Sequence, residues 1–268
     1  MTEWESVKEI MDATRRILWI HGWGMSPAVW EPSVQEHMTG QGIEHHFFTY
    51  INCHSIEAFH EALDRAIREL RPDTIVGWSM GGLLAVDRLI RMDADEKDGR
   101  TPVGPFMGIK KLVTVGSTLR FVSTDRSQGW PRRIVERMLD KLETDRELVL
   151  RQFADSMVSA EERIAGKAVA IRGNDFSPEG LKAGLRYLLE ADVTEAWART
   201  LVPGFTSAGG RMLWIHGSGD TICPIGSMPK EPAGVRRVVL ERAGHVPFLT
   251  EQAAFYEHLR GFLDDDKD

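Results

Sequence analysis

Six short apolar runs, separated by stretches with helical periodicity, leave this chain few architectures. They cover residues 16–20, 47–51, 74–78, 111–115, 212–215 and 237–240. Most are nearly continuously hydrophobic, the pattern of strands buried on both faces of a parallel sheet. Residues 55–70, 82–92 and 252–263 carry apolar side chains at helical spacing between or after them. Strand alternating with helix predicts an α/β fold with a mostly parallel sheet. The chain has 268 residues, 42% of them hydrophobic, which suits one compact domain with an insertion better than two full domains.

The alternation breaks between residues 118 and 206, where no strand is legible. Residues 128–157 read as helix, with Ile134, Met138, Leu142, Leu148, Val149 and Phe153 at helical spacing; residues 158–170 and 177–189 read similarly. With no strand there to be flanked, the expectation is a helical cap of residues 118–206 inserted into a core of residues 1–117 and 207–268.

The chemistry centres on Gly77-Trp78-Ser79-Met80-Gly81-Gly82. The apolar run Thr74-Ile75-Val76 precedes it and a helical pattern follows, which is the strand-to-helix context of a G-x-S-x-G turn that exposes a serine hydroxyl. A serine hydroxyl is a poor nucleophile without a base, and the base needs an orienting acid. Such turns are followed along the chain by an acid and then a histidine. Asp220 stands just past the fifth apolar run, and His245 lies in a loop after the sixth. Ser79, Asp220 and His245 are therefore the expected catalytic set, with Asp192 as a rival acid inside the cap.

An oxyanion needs preset donors, worth on the order of 3 kcal/mol each. The turn His21-Gly22-Trp23-Gly24 follows the first apolar run and offers the backbone N–H of Trp23. Met80, directly after the serine, offers the second. Trp23, Trp78, Leu83 and Phe248 are the candidate substrate-binding side chains; Trp30 fits pocket and core equally well. No metal-ligand spacing or Gly-rich phosphate loop is present, so no metal or cofactor is expected.

Lys plus Arg total 33 against 40 Asp plus Glu, a net charge of −7, which argues against a nucleic-acid binder. No stretch reaches the roughly 18 apolar residues of a membrane span. Residues 1–16 lack the apolar core of a signal peptide, and two cysteines make no disulfide scaffold. A monomer in the cytoplasm is the expectation.

Nearly the whole chain resembles the α/β-hydrolase superfamily, and within it the pimeloyl-[acyl-carrier protein] methyl ester esterases of biotin synthesis. The resemblance rests on Ile20-His21-Gly22-Trp23-Gly24 with Val29-Trp30, on Gly77-Trp78-Ser79-Met80-Gly81-Gly82-Leu83, on Leu112-Val113-Thr114-Val115-Gly116-Ser117, and on Gly244-His245-Val246-Pro247-Phe248. It implies an α/β-hydrolase fold and a serine carboxylesterase acting on the methyl ester of a pimeloyl chain carried by acyl-carrier protein. A general carboxylesterase on short-chain free esters and a catalytically silent binding protein of the same fold are the alternatives. The family docks its acidic carrier on basic cap residues. Residues 130–172 hold nine Lys or Arg against eight Asp or Glu, or +1, which leaves −8 for the rest of the chain. Arg132, Arg133, Arg137, Arg146, Arg151, Arg163 and Lys167 are the docking candidates. The chain departs from the family at Tyr50-Ile51-Asn52-Cys53-His54-Ser55, where a Gly-rich loop is missing. Residues 1–14 are too short for the family's two opening strands, so six or seven strands are expected.

Overall fold

A computed structural model describes residues 14–40, 42–97, 105–169, 176–230 and 234–265. The opening stretch, residues 1–13, lies outside the described residues. Six strands form one fully parallel sheet: β1 (Arg15–Ile20), β2 (Ile43–Phe48), β3 (Thr74–Trp78), β4 (Lys111–Val115), β5 (Arg211–Gly217) and β6 (Val235–Leu240). Their order across the sheet is β2-β1-β3-β4-β5-β6. The chain steps from β1 to β2 on one side, then crosses to β3 on the other. This reversal opens a crevice at the carboxyl ends of β1 and β3, where open α/β sheets place their ligands.

Five of the six strands lie where the apolar runs predict them. The exception is β2, which spans residues 43–48 rather than 47–51. It is one of the sheet's two edges, most of its side chains are only partly buried, and it tolerates the polar run Glu44-His45-His46. An edge strand can carry such a run because one side of it faces no partner.

Among the described residues the α-helices of four or more residues are α1 (Glu31–His37), α2 (Ile56–Leu70), α3 (Met80–Lys97), α4 (Arg132–Lys141), α5 (Arg146–Asp155), α6 (Ala160–Ile164), α7 (Pro178–Glu190), α8 (Val202–Ser207), α9 (Pro247–Thr250) and α10 (Gln252–Asp264). Among the described residues the segment between β4 and β5 adds helices and no strand to the sheet. The single helix expected over 128–157 is two: Asp145 caps α5, its carboxylate accepting from the Leu148 N–H at 3.1 Å, which breaks the run. The helix expected over 158–170 is the short α6, begun by a capping box of Ser159 and Glu162; Gly166 follows it at φ +75°.

The core is aromatic beneath the site. Trp30 stacks on Phe248 at 4.0 Å, and Trp78 meets Phe248 at 5.3 Å and 73°. Each such fully buried side chain contributes roughly 1.5–3 kcal/mol through apolar burial. Among the described residues no helix is long and apolar enough to cross a membrane.

Candidate active site

The turn after β3 is tight because glycines let backbones meet. A methyl added at Gly77 would lie 2.6 Å from the Gly81 carbonyl, and one at Gly81 would lie 2.5 Å from the His21 carbonyl. Ser79 sits at φ +55°, a left-handed geometry that costs about 1–3 kcal/mol for a residue with a side chain. The surroundings over-determine it. Its N–H donates to the Val115 carbonyl at 2.9 Å, and its carbonyl accepts from Ser117 Oγ at 2.8 Å and from the amides of Gly82 and Leu83. Met80 opens α3, so its N–H is among the helix's orphan donors at the positive end of the dipole.

Three sequence-distant side chains meet here. His245 Nε2 lies 2.9 Å from Ser79 Oγ, and His245 Nδ1 lies 2.7 Å from Asp220 Oδ2. A carboxylate only accepts, so Nδ1 carries the proton and Nε2 is left to accept from the serine. The other carboxylate oxygen, Oδ1, accepts from the amides of Ile222 (2.8 Å) and Cys223 (2.9 Å). His245 is itself pinned at both backbone groups: its N–H donates to the Met157 carbonyl at 2.7 Å, and its carbonyl accepts from the Trp78 indole at 2.8 Å. Ser79 keeps 8% of its surface exposed, whereas His245 has none.

His216 is a contributor that sequence reasoning passes over. It is fully buried, and its Nε2–H donates to the Cys223 carbonyl at 2.6 Å, bracing the turn that presents Asp220; Nδ1 accepts from the Trp214 indole at 3.4 Å. Burial holds its pKa below the ordinary value. Asp192 stands apart from the serine, paired with Arg120 at 3.4 Å and accepting from the Thr194 amide at 3.1 Å.

The turn after β1 reaches the serine directly: a methyl at Gly22 would lie 3.0 Å from Ser79 Cβ. Trp23 is clamped over it, its indole donating to the Leu181 carbonyl at 2.9 Å and meeting Phe153 edge-on at 5.0 Å. Trp78, Leu83 and Phe248 are fully buried. They pack in the core beneath the site, as Trp23 also does with 1% of its surface exposed. Trp78 props the His245 carbonyl. Among the described residues a cavity of about 270 Å³ is lined by Trp130, Ile134, Met138, Val149 and Phe153, with exposed Arg137 and Lys141 beside them.

The docking candidates divide. Lys167 is half-buried and tied to Glu251 at 2.6 Å and the Thr250 carbonyl. Arg146 reaches the Phe176 carbonyl at 3.4 Å, Arg132 the Leu189 carbonyl at 2.6 Å, and Arg163 the Asp155 carbonyl at 2.5 Å. Arg133, Arg137 and Arg151 are exposed and have no hydrogen-bond or ion-pair partner among the described residues.

Beside the site, burial pushes the His21 pKa down to about 4 from its ordinary 6.5. Between those values an unfolded chain takes a proton that the folded chain refuses. Stability from this group is thus complete above about pH 6.5 and is lost as pH falls to 4, about 3 kcal/mol in all. Melting temperature should drop less steeply between about pH 7 and about pH 4 in His21→Leu than in wild type, His216 keeping part of the slope. Identical slopes would place the acid-labile group elsewhere.

The sequence profile of the alpha/beta hydrolase family matches residues 17–258. The chain belongs to this family. Among proteins similar to this hydrolase are the pimeloyl-[acyl-carrier protein] methyl ester esterases of Vibrio vulnificus, 26% identical over 91% of this chain and 92% of that protein, and of Vibrio cholerae, 27% identical with the same coverage. Among solved structures, an esterase from Exiguobacterium antarcticum superposes with a TM-score of 0.71, at 19% identity over 94% of this hydrolase and 93% of that chain.

Proposed function

We propose that this protein is a serine carboxylesterase that removes the methyl ester from a pimeloyl chain carried by acyl-carrier protein. The unbroken hydrogen-bonded line Ser79–His245–Asp220 carries the catalytic part of this reading. The similar esterases support the substrate part. In this reading residues 1–117 and 207–268 form the core, and residues 118–206 a cap above it. The cytoplasm is its place of work.

Ser79 Oγ attacks the ester carbonyl while His245 Nε2 takes the hydroxyl proton. Asp220 stabilises the imidazolium without being protonated. The N–H groups of Trp23 and Met80 receive the developing oxyanion. Collapse of the tetrahedral species breaks the C–O bond to the methoxy group, and His245 returns the proton, so methanol leaves and an acyl-enzyme remains. Water, deprotonated by His245, then hydrolyses the acyl-enzyme to a free carboxylate and restores Ser79. The cavity beside Phe153 supplies apolar wall for an acyl chain, and exposed Arg137 and Lys141 stand next to it.

The test uses Arg133→Glu with Arg151→Glu. Hydrolysis of the carrier-bound methyl ester should fall about tenfold in kcat/KM at low salt, with a small p-nitrophenyl ester unaffected, because exposed charges steer encounter rather than chemistry. The deficit should shrink as salt rises, since interactions between exposed charges are screened beyond about 8 Å at physiological ionic strength. Equal rates on both substrates, in wild type and variant alike, would favour a general carboxylesterase of short free esters. No turnover of either, with no labelling of Ser79 by a fluorophosphonate, would leave a binding protein.

A further inference from the structure

The loop carrying His245 is held by residues from outside the sheet. The Met157 carbonyl accepts from the His245 N–H at 2.7 Å, and the Ser159 hydroxyl donates to the Arg242 carbonyl at 2.6 Å. Glu162 Oε2 accepts from the Gly244 N–H at 3.0 Å, and the same oxygen accepts from the Ser159 N–H at 2.8 Å. The two segments meet backbone to backbone: a methyl at Gly244 would lie 2.4 Å from the Met157 carbonyl and 2.7 Å from Glu162 Oε2.

Glu162 does more here than a helix cap requires. A capping-box glutamate closes its own helix turn and works equally well in solvent. This one is 3% exposed, and its Oε1 is buried with no hydrogen-bond partner among the described residues. Burying a carboxylate incompletely satisfied costs free energy. What the burial achieves is a charge-assisted bond to the amide adjacent to His245, stronger than a neutral one.

We propose that Glu162 is a positioning residue for His245. Its carboxylate fixes the Gly244 amide, and through it the imidazole between Ser79 and Asp220, so the cap must be seated for the base to be aligned. This rests on the reading of Ser79, His245 and Asp220 as the catalytic set.

The experiment compares Glu162→Ala, Glu162→Asp, Glu162→Gln and, as a stability comparator, Asp145→Ala, which removes a helix cap distant in sequence from the histidine loop. Each is measured for kcat and KM on a small p-nitrophenyl ester, for the rate of Ser79 labelling by a fluorophosphonate, and for melting temperature. Alanine loses the acceptor, and aspartate is one methylene too short to reach Gly244. Both should lose about tenfold or more in kcat and in labelling rate, with KM within about twofold, because misplacement of a reacting group by about 1 Å costs up to about a hundredfold. Glutamine keeps an accepting oxygen but buries an unpartnered amide. It should melt lower while keeping kcat within about threefold. Asp145→Ala should melt lower with kcat unchanged. Wild-type kcat and labelling in both Ala and Asp variants would overturn the proposal, as would a loss that follows melting temperature across all four. If Glu162→Ala does not fold, Glu162→Asp decides. A wild type that is neither labelled nor active overturns the catalytic reading itself, and is told apart by that silence.

Discussion

Ser79→Ala is expected to lower ester turnover by about a millionfold and to leave the fold intact. Its Oγ is the atom that His245 Nε2 approaches at 2.9 Å, and alanine offers nothing in its place. The backbone should not notice. The geometry at φ +55° is held by the Ser79 N–H and carbonyl, neither of which depends on the side chain. The measurement is single-turnover hydrolysis with circular dichroism and melting on the same preparation. Activity within a hundredfold of wild type, with contaminating esterase excluded, would remove Ser79 as the nucleophile.

The second large effect is expected from Asp220→Asn, about ten-thousandfold in kcat. The reasoning depends on which way the new amide faces. Oδ1 of Asp220 accepts from two backbone amides, so the carbonyl oxygen of asparagine must keep that side. Its NH₂ is then turned toward His245 Nδ1 and forces that nitrogen to accept. The proton moves to Nε2, where it faces Ser79 and blocks removal of the hydroxyl proton. A loss below tenfold would mean that Asp220 does not set the tautomer. Asp192 is no substitute, being committed to Arg120 and the Thr194 amide.

The elbow is legible in the sequence because Gly77 and Gly81, at fixed spacing around the serine, are required by backbone contacts under 3 Å. Asp220 and His245 were legible because a parallel sheet delivers residues after successive strands to one edge. Apolar content does not locate β2, because an edge strand need not be apolar. The breaks at Asp145 and Gly166 were written locally, as a cap and a positive φ, but amphipathic periodicity ran across them. Trp78 and Phe248 illustrate a deeper limit. Composition marks an aromatic side chain as apolar without saying whether it faces a pocket or the core. Glu162 and Gly244 stand 82 residues apart, and no spacing rule connects a helix cap to the histidine it touches.

The Met157 carbonyl that holds the His245 amide has a consequence for recombination within the family. A chimera that exchanges everything between β4 and β5 for a relative's segment replaces one half of that bond while keeping the other. The crossover points that preserve it lie beyond the strand ends, so that residues 157–162 travel together with residues 242–245. Exchange of the segment alone should give proteins that fold and melt cooperatively yet turn over slowly, and restoring the native 157–162 in such a hybrid should recover the rate without altering which ester is preferred.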